Sequence, residues 1–445
     1  MSTRRTPARF VAVGAIAMLA LSACGGSNSG SDGESDTGVD TGPAAADAPS
    51  ADAGEVTEIR VWLNGADTPD EAREYLVTTF EEENPGATLV IEEQQWTGIV
   101  DKLTTSLSGS DSPDVVEVGN TQSPAFSSAG AFLDLTDQFE ALGGDDLLPG
   151  FVEAGSYDGQ FFAAPYYSGA RVVFYRADLY EAAGLSVPTT LDEYIANGKA
   201  LTAANPELSG IYFPGQDWYN ALPYIWEAGG ELATFDNGEW AAGLSSPESI
   251  EGLTTVQDVM TSASVAPKDG DEADAQVPFC AGAVGQLSAP SWFGGSILAP
   301  ADAEAPGCPE QEANLGVFAL PGADGEPAQV FAGGSNIAVS ANSEEPELAL
   351  SAVQIMLSPE YQTILGEAGL VPALLSLGDT IGTDETAQAI TAAASNAKLT
   401  PASPNWATVE AEGVLQDFFS QIALGGDVTE LAAEADGRIN EILNS

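Results

Sequence analysis

The chain has 445 residues, 44% of them hydrophobic, with 12 Lys and Arg against 67 Asp and Glu, and no histidine. The formal net charge of −55 leaves no basic patch to neutralise phosphates, which excludes nucleic acid as a partner. The lack of His removes Ser-His-Asp and Cys-His catalysis and every His-ligated metal site; with three cysteines, zinc and iron have no ligand cluster, so no metal or cofactor is expected.

The chain opens on a basic segment with Arg4, Arg5 and Arg9, followed by the apolar run VAVGAIAMLALSA. A basic start, a short apolar stretch and small residues at its end are the layout of a secretory signal peptide, expected over 1–23. The run falls short of the roughly 20 residues that span a bilayer. Leu21-Ser22-Ala23-Cys24 resembles the lipobox of bacterial lipoproteins. That resemblance implies cleavage before Cys24 and acylation of its thiol. Two or more acyl chains hold a protein firmly at a membrane. The mature chain is therefore expected on the outer face of the cytoplasmic membrane, held by lipid alone. Residues 24–54 are rich in Gly, Ser, Asp, Ala, Pro and Thr and read as a disordered tether. From Glu55 onward the chain is too long for one typical core, which points to two domains.

VTEIRVWL (56–63) reads as a strand. A helix follows, with Thr68 as N-cap, Pro69 at its first position, and Ala72, Tyr75, Leu76 and Phe80 on one face. Asn84-Pro85-Gly86 stops it. ATLVIEEQ (87–94) is a second strand, 97–109 a second helix, and PDVVEVG (113–119) a third strand. This alternation predicts a parallel sheet with helices on its faces, and ligands in such sheets bind beyond the carboxyl ends of the strands. The loops of interest are therefore those with Asn64 and Asp67, with Gln94 and Trp96, and with Asn120, Thr121 and Gln122. Further on, 161–185 reads as two short strands around a turn and then a helix. Residues 189–207 read as a helix capped near Thr190, and 210–232 as a strand into an aromatic-rich helix. Residues 283–295 read as a strand and glycine-rich turn, 314–340 as a strand pair, 346–373 as two helices, and Trp406–Leu443 as helical. Cys280 and Cys308 remain once Cys24 is taken by lipid, and outside the cell they are expected to form a disulfide.

The segments FEEENPG, SPDVV, GAFLDLT, APYY, VVFYRADLYEAAGL, PTTLDEY and GGSNIAVS occur in this order. The ordered set resembles the extracellular solute-binding proteins of ABC importers, in the sugar-binding group that includes maltodextrin-binding protein. The resemblance covers 55–445. It implies an α/β, two-lobed periplasmic-binding-protein-like fold of type II, with two discontinuous lobes joined by a hinge. The first lobe would be 55–168 plus 320–371, and the second 169–319 plus 372–445. It further implies a monomer that captures a sugar, a di- or oligosaccharide, in the interlobe cleft and delivers it to membrane permease subunits. It implies no enzymatic activity.

Aromatic faces stack on the C–H surface of a sugar while nearby polar groups pair with its hydroxyls, and a cleft needs both. Trp96, Trp218, Trp292 and Trp406 lie beside turns or helix starts, whereas Trp62 sits inside a strand and reads as core. By position, the resemblance adds Asn64, Asp67, Gln94, Asn120, Thr121, Gln122, Tyr167, Asp217, Tyr219, Gly334, Ser335 and Asn336. Ala66 and Asp67 stand where the maltodextrin binder carries a basic residue, which points away from maltodextrin itself. Arg171, one of few cations, has two readings: a planar fork on ligand oxygens, or a structural ion pair. Two other classes stay open. The acidity and aromatic residues also suit a polyamine or other cationic solute, and paired carboxylates suit a secreted glycoside-active enzyme.

Overall fold

A computed structural model describes residues 56–445 apart from 66, 97 and 304. The expected signal peptide, Cys24, the tether and Ala66 lie outside the described residues.

Strands β1 (Thr57–Asn64), β2 (Ala87–Gln94) and β3 (Val115–Gly119) are parallel. β1 is central, paired to β2 along its length and to β3 through Val61 and Trp62. The connecting helices Asp70–Glu83 and Ile99–Leu107 bury Ala72, Leu76 and Phe80, and Ile99, Leu103 and Leu107, at helical spacing. One expectation is corrected here. Thr68 does not cap the first helix, which begins after Pro69. Its hydroxyl lies 2.8 Å from the buried Tyr166 hydroxyl instead, so a core hydrogen bond takes the group that a cap would use.

A two-residue hairpin, β4 (Ser156–Tyr157) with β5 (Gln160–Phe161), leads into β6 (Ala163–Arg176). β6 corrects the expectation of two strands around a turn: it is one extended strand of 14 residues. Nearly every residue in it is buried, so each backbone group needs a partner, and the chain finds partners only by staying extended. Gly169, inside this strand, serves packing. A Cβ there would lie 1.8 Å from the Trp292 ring.

The remaining strands are β7 (Ser209–Ile211), the hairpin β8 (Ala233–Asp236) and β9 (Glu239–Ala242), β10 (Val284–Pro290), β11 (Leu315–Phe318), β12 (Val330–Val339), β13 (Val371–Pro372) and β14 (Ala397–Lys398). The main sheet runs β2-β1-β3-β12-β6-β10-β7. β12 pairs with β6 from Ala163 to Ala170, and β10 pairs with it from Arg171 to Tyr175. One strand thus belongs to both halves of the molecule. β11 and β12 were expected as a pair, but β11 lies on β6 while β12 lies between β3 and β6. The C-terminal segment forms three helices, Trp406–Ala411, Val414–Ala423 and Val428–Leu443.

Two large apolar cores result. The first gathers Val61, Leu76, Phe80, Tyr166, Ile337 and Val353. The second gathers Val173, Phe213, Trp218, Ile225, Val256 and Phe419. Leu320, Ala328, Val330 and Phe331 pack in the second core, whereas Ala373 and Leu374 pack in the first. The chain therefore passes between cores within β12, and the two cores meet again at 371–374, with Val371 in the second and Ala373 and Leu374 in the first. A Cys280–Cys308 disulfide is present, with Cα atoms 5.5 Å apart, tying the helix Gln276–Cys280 to the segment before β11.

Candidate functional site

A cavity of about 570 Å3 opens between the two cores, within the 300–1,000 Å3 typical of small-molecule sites. Its first side is built from the loops at the carboxyl ends of β1, β2 and β3, which contribute Asp67, Trp96, Asn120, Thr121 and Gln122. β6 contributes Tyr167 and Arg171, and β12 contributes Phe331 and Gly334. Tyr219, Glu272 and Trp292 form the far side. Gly334 has φ +136, and a Cβ there would lie 2.3 Å from the Tyr167 carbonyl oxygen. Glycine therefore lets β12 approach β6 where both meet the cavity.

The polar lining is arranged in two hydrogen-bonded networks. In the first, the Trp96 indole N–H donates to Asp67 at 3.0 Å, and the Tyr167 hydroxyl lies 3.4 Å from the same carboxylate. Tyr167 also donates to Glu117 at 2.9 Å, and the Asn64 backbone N–H donates to Glu117 at 2.7 Å. Burial pushes the Glu117 carboxyl up to about 7, although the Asn64 N–H favours the ionised form. Burial likewise raises Asp67, against the pull of the Trp96 N–H that donates to it.

The second network centres on Arg171, which is 1% exposed. Its guanidinium forms a two-pronged pair with Glu272 and donates to Asn220 at 3.1 Å, with Asp217 3.8 Å away. It lies 5.5 Å from the Tyr219 ring centroid. Burial, together with the neighbouring Glu272, pushes the Asp217 carboxyl above the ordinary carboxylate range. Arg171 is thus both a structural ion pair and part of the cavity wall, and Glu272 shares its charge at the surface of the site.

Several expected contacts lie behind the wall. Trp218 and Trp406 are 1% and 0% exposed and pack edge-to-face at 6.5 Å in the second core. Tyr219, its ring tilted against Trp218 with centroids 4.0 Å apart, takes the place in the cavity expected for the tryptophan. Asn64 and Gln94 are buried side chains: Asn64 ties β1 to β3 through the Glu117 carbonyl, and Gln94 folds back on the Glu92 carbonyl of its own strand. Asp217 holds Asn220 and Arg171. Ser335 is fully buried, and Asn336 donates to the carbonyls of Phe151 and Ala163. The aromatic walls are therefore Trp96, Tyr167, Tyr219, Trp292 and Phe331.

Sequence reasoning passed over Glu117, Glu272, Glu410 and Phe331. Glu117 had a signal: it is a lone charge inside the apolar strand VVEVG, where a carboxylate needs a reason to be buried. Glu410 follows Trp406 at helical spacing and accepts its indole N–H at 3.1 Å. Glu272 had none, since it lies in an acid-rich loop where no one carboxylate stands out.

The bacterial extracellular solute-binding protein family matches residues 65–363. The chain is 33% identical over 435 residues to the diacetylchitobiose binding protein DasA of Streptomyces coelicolor, covering 96% of each chain. Among solved structures it resembles the GacH receptor of Streptomyces glaucescens, solved unliganded and with acarbose, with TM-score 0.73 and 21% identity over 87% of this chain and 98% of that one. The sugar-binding protein MalE of Xanthomonas citri superposes with TM-score 0.74 and 21% identity over 87% and 97%.

Proposed function

The chain belongs to the bacterial extracellular solute-binding proteins, and we propose from that premise that it captures a di- or oligosaccharide in the cleft between its two cores and presents it to the permease of an ABC importer. The observation that carries this reading is the cleft itself. Five aromatic side chains and a set of carboxylates, carboxamides and hydroxyls line one cavity at the carboxyl ends of parallel strands. Aromatic faces cover the C–H faces of a pyranose, while Asp67, Asn120, Gln122 and Glu272 accept from or donate to its hydroxyls. The chitobiose-binding relative makes N,N′-diacetylchitobiose the first saccharide to try.

Closure follows from the shared strand. β6 and β12 each carry residues of both halves, so they form a hinge about which the halves rotate over a ligand. A ligand favours the closed form only by its greater affinity for it. The protein acts as a monomer, binding without turnover. Acylated Cys24 and the segment to residue 54 hold it on the outer face of the membrane within reach of the permease. No helix among the described residues is long and apolar enough to cross a membrane.

A thermal-shift screen over mono-, di- and oligosaccharides tests this reading, because a ligand of the native cleft raises the melting temperature by mass action. A cationic solute is the second reading, favoured by Asp67, Asp101 and Glu272 on a wall whose cation, Arg171, is already paired. A shift with spermidine and none with any saccharide would reverse the order of the two.

A further inference from the structure

A second cavity, also about 570 Å3, shares no lining residue with the cleft. Trp226, Phe235 and Trp240 line it together with Lys398, Glu231 and Glu153. Phe235 and Trp240 face each other across the β8–β9 hairpin, rings 5.1 Å apart. Asn237 and Gly238, both with positive φ, make its tight turn.

This hairpin is anchored to the C-terminal helix. The Trp240 N–H donates to the Asn444 side chain at 2.9 Å, and Asn444 donates back to the Trp240 carbonyl at 2.9 Å. Ala242 N–H donates to Asn440 at 2.8 Å. Yet Phe235 remains 60% exposed. With Trp226 and Trp240 it puts apolar ring surface on a groove that also carries charged groups, the mixture that a ligand site needs.

The chemistry beside the rings narrows the class. Lys398 donates to both oxygens of Glu231, at 2.7 and 2.6 Å, and its ammonium lies 5.1 Å from the Trp226 ring centroid. The pair is partly solvated. A purely apolar occupant would strip water from both charges without replacing it. A free anion would meet Glu153 and Glu231, and a free cation would have to compete with Lys398 for Glu231. A neutral ring that is apolar on its faces and hydroxylated at its edge meets none of these penalties.

We propose that this groove is a second, weaker binding site for a neutral saccharide, stacked on Phe235 and Trp240 and hydrogen-bonded through its hydroxyls to the Glu231–Lys398 pair. The site stands on the groove alone and does not depend on what the cleft binds.

The test uses the full chain carrying Trp96→Ala and Trp292→Ala to impair the cleft, titrated calorimetrically with N-acetylchitohexaose and with maltohexaose. Saturable binding of at least one hexaose is expected, weakened tenfold or more when Phe235→Ala or Trp240→Ala is added. Phe235→Ala in the otherwise native chain should leave the cleft's disaccharide affinity unchanged. Because Phe235 is exposed, its removal spares the core, and Lys398→Met gives a second route to the same loss. Absence of saturable binding of both hexaoses to the cleft-impaired protein overturns the proposal. So does binding that ignores all three groove substitutions.

Discussion

The Thr121 hydroxyl donates to the Glu410 carboxylate at 2.9 Å, joining the loop after β3 to a helix packed in the second core. Gln122 reaches the same oxygen at 3.2 Å, and the Trp406 indole N–H holds the other at 3.1 Å. Burial pushes this carboxyl up to about 7, although its three donors favour the ionised form. The two halves of the molecule are thus tied beside the cleft through one enclosed acid. Glu410→Ala strands those donors and should cost about 1–3 kcal/mol, read as a lower urea midpoint at unchanged slope. Glu410→Gln keeps an acceptor and should cost less.

Glu117 makes stability depend on pH. Its carboxyl is raised from 4.5 to about 7 in the folded chain, chiefly by burial, so the native state holds a proton that the unfolded state releases. Its contribution is full below about pH 4.5 and is lost as pH rises toward 7 and beyond. Urea titrations from pH 4.5 to 8 should show a midpoint that falls with pH, and Glu117→Gln should flatten that fall. An identical slope in the variant would assign the effect to other groups.

Gly169 and Trp292 are coupled by contact. Gly169→Ala places a methyl carbon 1.8 Å from the ring, which must then leave its position in the cleft wall. Saccharide affinity should drop at least tenfold, about 1.4 kcal/mol, with a smaller change in stability. Equal affinity in the variant would show that Trp292 does not touch the ligand.

Trp218 separates core from contact. Since it is enclosed in the second core, Trp218→Ala should cost about 3–5 kcal/mol of stability. Trp96→Ala should instead weaken binding with little loss of stability, because Trp96 is 38% exposed at the cleft. Denaturant melts and titrations on the same two variants distinguish the roles.

The disulfide closes a loop of 28 residues. Reduction, or Cys280→Ser with Cys308→Ser, should lower stability by about 3–4 kcal/mol on the chain-entropy view. Saccharide binding at low temperature should persist, since neither cysteine lines the cleft.

Much of this was legible in the residues, for local reasons. The first three strands and two helices carry their period and their stop signals within a few residues, and β2 begins and ends where its pattern does. The loops after those strands followed from topology, which is why Asp67, Trp96, Asn120, Thr121 and Gln122 meet in one cavity. What stayed hidden depends on contacts distant in sequence. The turn expected within 161–185 gives way to one strand once β12, β10 and β13 are laid beside β6. Trp218 and Tyr219 are adjacent in sequence, and only the packing of Trp406 behind them decides which one lines the cavity.

The most direct measurement is calorimetric titration of the native chain and of its Trp96→Ala, Trp292→Ala variant with N,N′-diacetylchitobiose, maltotriose and spermidine. Saturable 1:1 binding of a saccharide to the cleft is expected, lost in the variant, with no product formed on incubation. Spermidine binding without any saccharide response, or turnover of a saccharide, would contradict it.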